Sequence, residues 1–232
     1  MIDNVRKTVM AILSKDNRGY VTPEEFNLFA AQAQMEIFEE DFYTLGNEIT
    51  KQNNRLGGDS YSDRVNALID NIDKFRDSFS SVYGASYFSL PTNLHMIDMN
   101  GVVYNGTTEV ERVHNHQILA LNRSLDTAPS TLYPVYVKSD SGLKVYPDTI
   151  TSGITINYIR VPSTPKWTWV TLSAGEPMFN QGANDYQDFE LPLSYETKLV
   201  YKILQLAGYS IGENEIAQAA NSIETQDKQE KL

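Results

Sequence analysis

Tyr133-Pro134-Val135-Tyr136-Val137, Leu143-Lys144-Val145-Tyr146-Pro147 and Ile154-Thr155-Ile156-Asn157-Tyr158-Ile159-Arg160 are short runs rich in β-branched and aromatic residues. The last alternates apolar and polar side chains at period two, the pattern of a strand with one face buried. Ser141-Gly142 separates the first two runs as a turn. Val161-Pro162 through Pro165-Lys166-Trp167 closes the third, because proline lacks the N–H that a strand interior needs. The segment therefore predicts a compact β unit, and the class of the fold turns on what surrounds it.

Upstream the period is helical. Val5, Val9, Ile12 and Leu13 fall on one face of a first helix, which Lys15-Asp16-Asn17-Arg18-Gly19 ends with a glycine suited to a left-handed cap. Thr22-Pro23-Glu24-Glu25 matches a capping box: the threonine oxygen takes an orphan N–H, proline occupies the first turn, and Glu25 reaches back. The helix it opens, expected to about Tyr43, carries one stripe of Phe26, Phe29, Ala30, Ala33 and Ile37. A second holds Leu28, Met35, Phe38 and Phe42. So wide an apolar surface implies burial on more than one side, one of which a neighbouring subunit could cover. Past a polar loop from Asn53 to Ser60, Ser62-Asp63 caps a third helix with Val65, Leu68, Ile69, Ile72 and Phe75 at helical spacing.

From Tyr87 the period changes. Tyr87 to Pro91, Met96 to Met99, Val102 to Tyr104 and Thr108 to Val113 read as short strands, with Asn-Gly turns among them, and Asn115 to Arg123 as a short helix. Trp167 to Leu172 is a further strand, followed by a glycine- and asparagine-rich loop to Phe189. Ser194 then caps a helix with Leu199, Val200, Ile203, Leu204 and Ala207, stopped at Gly208. A final segment from Glu213 carries the stripe Ile216, Ala219, Ala220 and Ile223, too thin to hold a helix in place within the monomer and so read as a docking element for a neighbouring subunit. Helices flanking an inserted antiparallel β-rich subdomain make the fold α+β, with the terminal helices packed together. The expected division is a helical part over 1–86, a β-rich subdomain over 87–189, and C-terminal helices over 190–232 that complete the helical part.

Composition narrows the function. The chain has 232 residues, 41% of them hydrophobic, enough for a real core. Its 30 acidic against 19 basic residues give a formal charge of −11, a surface that repels nucleic acid phosphates. It has no cysteine, hence no disulfide or thiolate metal site, and no run is long enough to span a bilayer.

Several residues look chemical. Ser14, Asp16, Arg18, Gly19, Val21 and Glu25 fall on positions one, three, five, six, eight and twelve of a calcium loop. Ser14 lacks the first carboxylate, Arg18 puts a cation in the cage, and the capping box already accounts for Glu25. His114 and His116 could offer two imidazoles to zinc, but His95 lies in a separate segment and no third ligand is near. No serine elbow, phosphate-cradling glycine loop or dinucleotide fingerprint is present, and the carboxylates are scattered. No catalytic, cofactor-binding or metal-binding residue is assigned. Trp167 and Trp169 alternate onto one side of a strand and could stack on a sugar, although the same spacing serves packing and protein interfaces.

The order of motifs carries more than any one of them. Gly19-Tyr20-Val21-Thr22-Pro23-Glu24-Glu25-Phe26-Asn27, Leu90-Pro91, Tyr146-Pro147, Asn157-Tyr158-Ile159-Arg160-Val161-Pro162, Pro165-Lys166-Trp167 and Phe189-Glu190-Leu191-Pro192 follow one another along most of the chain. This arrangement resembles the head-to-tail adaptor, or ring, proteins of tailed bacteriophages, those of crAss-like podoviruses above all. The resemblance implies a structural virion protein, not an enzyme, with no cofactor and no membrane partner. It implies a homo-oligomeric ring, commonly a dodecamer, that binds the portal protein at the capsid vertex and bridges it to tail or further ring proteins. Such a ring is assembled in the bacterial cytoplasm, extends the DNA channel and touches the genome passively through an acidic lumen. Two other expectations remain open: another ring of the tail barrel, tail-tube-like, and a carbohydrate- or receptor-binding module built on the tryptophans.

If Ser14 to Glu25 is a helix connection and not a cation cage, adding calcium or chelator leaves the thermal melting temperature unchanged. A calcium-dependent rise of several degrees would show a bound ion.

Overall fold

The computed structural model describes residues 1–15, 20–53, 61–124, 126–173 and 175–211, with 222 and 225. Three helices come first: α1 (Ile2–Lys15), α2 (Pro23–Asn53) and α3 (Tyr61–Asp73). The capping box forms as its residues dictate. The Thr22 N–H donates to Glu25 Oε2 at 2.9 Å and the Glu25 N–H to Thr22 Oγ1 at 3.3 Å. The Thr22 N–H, together with the Thr22 hydroxyl, which also donates to Glu25 Oε2, holds the Glu25 carboxyl below its ordinary value. The helix runs to Asn53, ten residues beyond the expected end near Tyr43.

The β strands follow: β1 (Arg76–Ser80), β2 (Tyr83–Gly84), β3 (Tyr87–Phe88), β4 (Leu94–Tyr104), β5 (Thr108–Glu109) and β6 (Glu111–Arg112). After α4 (Asn115–Leu121) come β7 (Val135–Ser139), β8 (Gly142–Tyr146), β9 (Ile154–Arg160), β10 (Trp169–Thr171) and β11 (Pro177–Phe179). A 3-10 turn at Leu193–Tyr195 leads into α5 (Glu196–Ile211). The fold is α+β, with helices towards both ends and sheets between them. Among the described residues no helix is long and apolar enough to cross a membrane.

Two compact units result. The first joins Met1–Asn71 to Pro162–Leu232, and the second is Ile72–Val161. These limits depart from the division at 87 and 189 for physical reasons. β1 pairs along its whole length with β9, which takes residues 76–80 into the β unit. Trp167 is bonded to α2, which returns the segment around it to the helical unit.

In the helical unit α5 packs on α1 and α2. Ile2, Val5, Val9 and Leu13 of α1 are buried, as are Phe26, Ala30, Ala33 and Ile37 of α2 and Leu199, Ile203, Leu204 and Ala207 of α5. Ile12, expected on the inner face of α1, is exposed. α5 continues through Gly208 to Ile211, because the burial of Leu204 and Ala207 outweighs the modest helix cost of one glycine. Ser194 lies inside the 3-10 turn, whose cap position is Pro192.

The β unit is two sheets on one core. One has the order β1-β9-β4-β5 and the other β2-β3-β8-β7-β6. Phe88, Tyr136, Leu143 and Val145 from the second meet Val102, Ile154, Ile156 and Tyr158 from the first. The three defining strands are thus split: β7 and β8 form a hairpin around Asp140 and Ser141, whereas β9 belongs to the opposite sheet. The chain also changes sheet between β5 and β6, at the buried Val110. Among the described residues all pairings are antiparallel except β6 with β7. Phe75, expected in α3, lies just past its end, its N–H donating to the Ile72 carbonyl at 2.9 Å.

Asn100-Gly101, read from sequence as a turn, is an irregularity inside β4. Its pairing with β9 shifts register between Ile97 and Val102, and Asn100 takes φ +57. A Cβ on Gly101 would overlap the Asn157 carbonyl oxygen and press within 2.8 Å of the Asp98 carbonyl oxygen. Gly101→Ala is therefore expected to cost about 2–3 kcal/mol in urea unfolding. At Gly84 a Cβ meets nothing within 4 Å, and Gly84→Ala should change stability by less than about 0.5 kcal/mol.

Candidate functional site

Residues seven apart on a helix return to nearly the same face, and α2 carries Asn27, Gln34 and Asp41 at that spacing. Each bonds to the chain that returns from the β unit. Asn27 Nδ2 donates to the Trp167 carbonyl at 3.0 Å, and the Trp167 N–H donates to Asn27 Oδ1 at 2.8 Å. Gln34 Nε2 donates to the Ser163 carbonyl at 2.8 Å while the Glu190 N–H donates to Gln34 Oε1 at 3.1 Å. The Tyr195 hydroxyl donates to Asp41 Oδ2 at 3.0 Å and accepts from Asn71 Nδ2 at 3.0 Å. Burial and the adjacent Asp41 carboxylate push the Tyr195 hydroxyl far above its ordinary value, so it serves as a donor throughout the physiological range.

Held at its backbone, Trp167 is 1% exposed. Its Nε1 donates to Asp3 Oδ1 at 3.1 Å, and the Arg6 guanidinium lies 3.9 Å from the ring centroid. Burial pushes the Asp3 carboxyl up, but hydrogen bonds from Lys7 and Trp167, with the charges of Lys7 and Arg6, leave it below its ordinary value. Trp169 and Phe179 stack on Trp167 with centroids at 5.9 and 5.8 Å, and Tyr186 meets Phe179 edge-on. With no face open to solvent, Trp167 is a core residue and not a sugar platform; Trp169 is half-buried.

The outward face of the same ribbon is apolar. Trp169 pairs with Phe179 across β10 and β11, and the next pair, Val170 with Met178, points the opposite way. Val170 is 49% and Met178 51% exposed, and Leu172, two residues past Val170, is exposed as well. On α2, Leu28 is 70% exposed beside the buried Phe26 and Ala30. Two acids of α2 are spent internally: Lys198 Nζ lies 3.1 Å from Glu40 Oε2 and Lys202 Nζ 3.6 Å from Glu36 Oε2.

The other residues picked out by sequence do not converge. Ser14 is exposed near the end of α1 and Glu25 is engaged with Thr22, while Asp16, Arg18 and Gly19 lie outside the described residues. His114 precedes α4 and stacks on His116 at 5.7 Å, and His95 sits in β4. Among the described residues no three His, Cys, Asp or Glu side chains stand together as a metal site. The proposed docking stripe Ile216, Ala219, Ala220 and Ile223 lies outside the described residues. Sequence reasoning missed Asn27, Gln34 and Asp41; their seven-residue spacing along α2 was the available signal.

No family model matches the chain, and no curated protein matches it.

Asn27→Ala removes both partners of the Trp167 backbone and leaves an N–H and a carbonyl orphaned beside a buried indole. It should lower stability by about 2–4 kcal/mol in urea unfolding and raise the solvent quenching of tryptophan fluorescence. Unchanged stability would show that the amide contributes nothing to the anchorage.

Proposed function

We propose that this chain is the subunit of a head-to-tail adaptor ring, a structural virion protein that joins the portal to the tail and extends the DNA channel. The observation that carries the proposal is the outward apolar surface of the helical unit. Leu28 on α2 and the Val170, Leu172 and Met178 face of the β10–β11 ribbon stay in solvent although both elements are firmly packed from behind. A cyclic assembly needs two different patches on one subunit that meet head to tail, and in this proposal Leu28 and the ribbon face belong to them. The order of motifs from Gly19 to Pro192 supports the same assignment through its resemblance to phage ring proteins. A charge of −11 per subunit suits a channel through which DNA slides without sticking. In this proposal the ring is a dodecamer at the portal vertex, assembled in the host bacterial cytoplasm, and its chemistry is recognition and not catalysis.

Native mass measurement tests it. The protein should form a closed oligomer whose mass is a fixed multiple of one chain, twelve being the expected number. Leu28→Glu should raise the concentration needed for assembly by about tenfold or more while leaving the circular dichroism unchanged. A chain that remains monomeric at high concentration and is missing from the ring densities of virions would contradict the proposal.

A further inference from the structure

The β unit holds an open cleft of about 460 Å³. Leu90, Pro91 and Leu94 line one wall, and Leu90 and Leu94 also pack against the sheet core, so this apolar wall is fixed. Arg112 of β6 and Lys138 of β7 also line the cleft. Their strands are neighbours: Arg112 is in register with Tyr136, two residues before Lys138, and both cations are exposed. No carboxylate pairs with either among the described residues, whereas Lys7, Arg76, Lys166, Lys198 and Lys202 each sit against one. Asp140 is the one acid at the cleft, and the Ser139 hydroxyl is engaged with the Gly142 carbonyl at 3.1 Å.

Two unpaired cations beside a rigid aliphatic wall, on a chain of −11, call for an anionic ligand that also carries an aliphatic side chain. A peptide with closely spaced carboxylates meets both demands. A polyphosphate meets only one, and the rest of the chain repels it. This chain contains such a peptide in Glu213-Asn214-Glu215-Ile216, which begins two positions after Ile211, the last residue of α5. Tethering it to a packed helix raises its effective concentration in an assembly.

We propose that the cleft receives the Glu213–Ile216 segment of a second copy. The two carboxylates face Arg112 and Lys138, and the Ile216 side chain lies against Leu90, Pro91 and Leu94. This rests on the ring assignment, because it makes each subunit a receptor for the next. The test is fluorescence anisotropy with a fluorescein-labelled peptide of residues 212–224. The receptor is full-length protein carrying Glu213→Gln and Glu215→Gln, so that its own segment does not compete.

The peptide should bind, more weakly as salt rises. Adding Arg112→Gln and Lys138→Gln to the receptor should weaken it about tenfold, and Ile216→Ser in the peptide severalfold. Circular dichroism of each variant confirms that the fold is kept. Lack of binding, binding indifferent to Arg112 and Lys138, or binding confined to a 12-nucleotide single-stranded DNA probe overturns the proposal. Native mass measurement on the unsubstituted protein separates the two claims. Rings without peptide binding sink the cleft alone, and peptide binding by a protein that never assembles keeps the cleft but removes the ring.

Discussion

The helical unit depends on a stripe of three polar side chains down α2. Asn27 and Gln34 of α2 bond backbone groups of Ser163, Trp167 and Glu190, which lie outside the β10–β11 ladder and need partners from elsewhere, and Asp41 takes the Tyr195 hydroxyl. Asn27 acts on Trp167 as a neighbouring strand would, with one donor and one acceptor. Each such bond adds only about 1 kcal/mol net, but leaving its buried partner unmatched costs about 1–3 kcal/mol, so the stripe selects one way of laying the chain down. Apolar burial supplies most of the stability; the amides specify the register.

Much follows from that register. Once the Trp167 backbone is held, its indole lies under Arg6, and Trp169 and Phe179 stack on it. The pleat of the β10–β11 ribbon then turns Val170 and Met178 outward, where each stays about half exposed. At the other end of the stripe Tyr195 on Asp41 starts α5, whose Lys198 and Lys202 meet Glu40 and Glu36. Two of the acids that make the chain so negative are thereby occupied in holding helices together. The Asp188 carboxylate makes a further tie, accepting from the Met1 amino nitrogen at 2.9 Å and the Ile2 N–H at 2.8 Å. Burial pushes that carboxyl up, and these bonds, with one from the Phe189 N–H, bring it below its ordinary value.

Local chemistry was legible in the sequence and long-range pairing was not. The Thr22 to Glu25 capping box spans one turn, and the alternation of Ile154 to Arg160 marks a strand, so both could be read directly. Periodicity says which face of a strand is buried but not which strand lies beside it, and β9 accordingly sits in the opposite sheet from the β7–β8 hairpin. Asn100-Gly101 has the composition of a turn because a bulge also needs positive φ and close backbone approach. Gly208 has the composition of a stop, yet packing carries α5 past it. At the candidate site the tryptophan pair was visible but its division into a buried and a half-buried ring was not. That division comes from Asn27, which stands 140 positions away in sequence.

The central claim is that one side of the helical unit is locked inward so that the other is free to assemble. Hydroxyl-radical footprinting across a concentration series measures both sides at once, because side-chain oxidation follows solvent contact. Trp167 should be unreactive at every concentration, whereas Leu28 and Met178 should react strongly when dilute and lose most of that reactivity as oligomers form. Equal reactivity of Leu28 and Met178 in monomer and oligomer, or ready oxidation of Trp167 in the folded protein, would contradict the account.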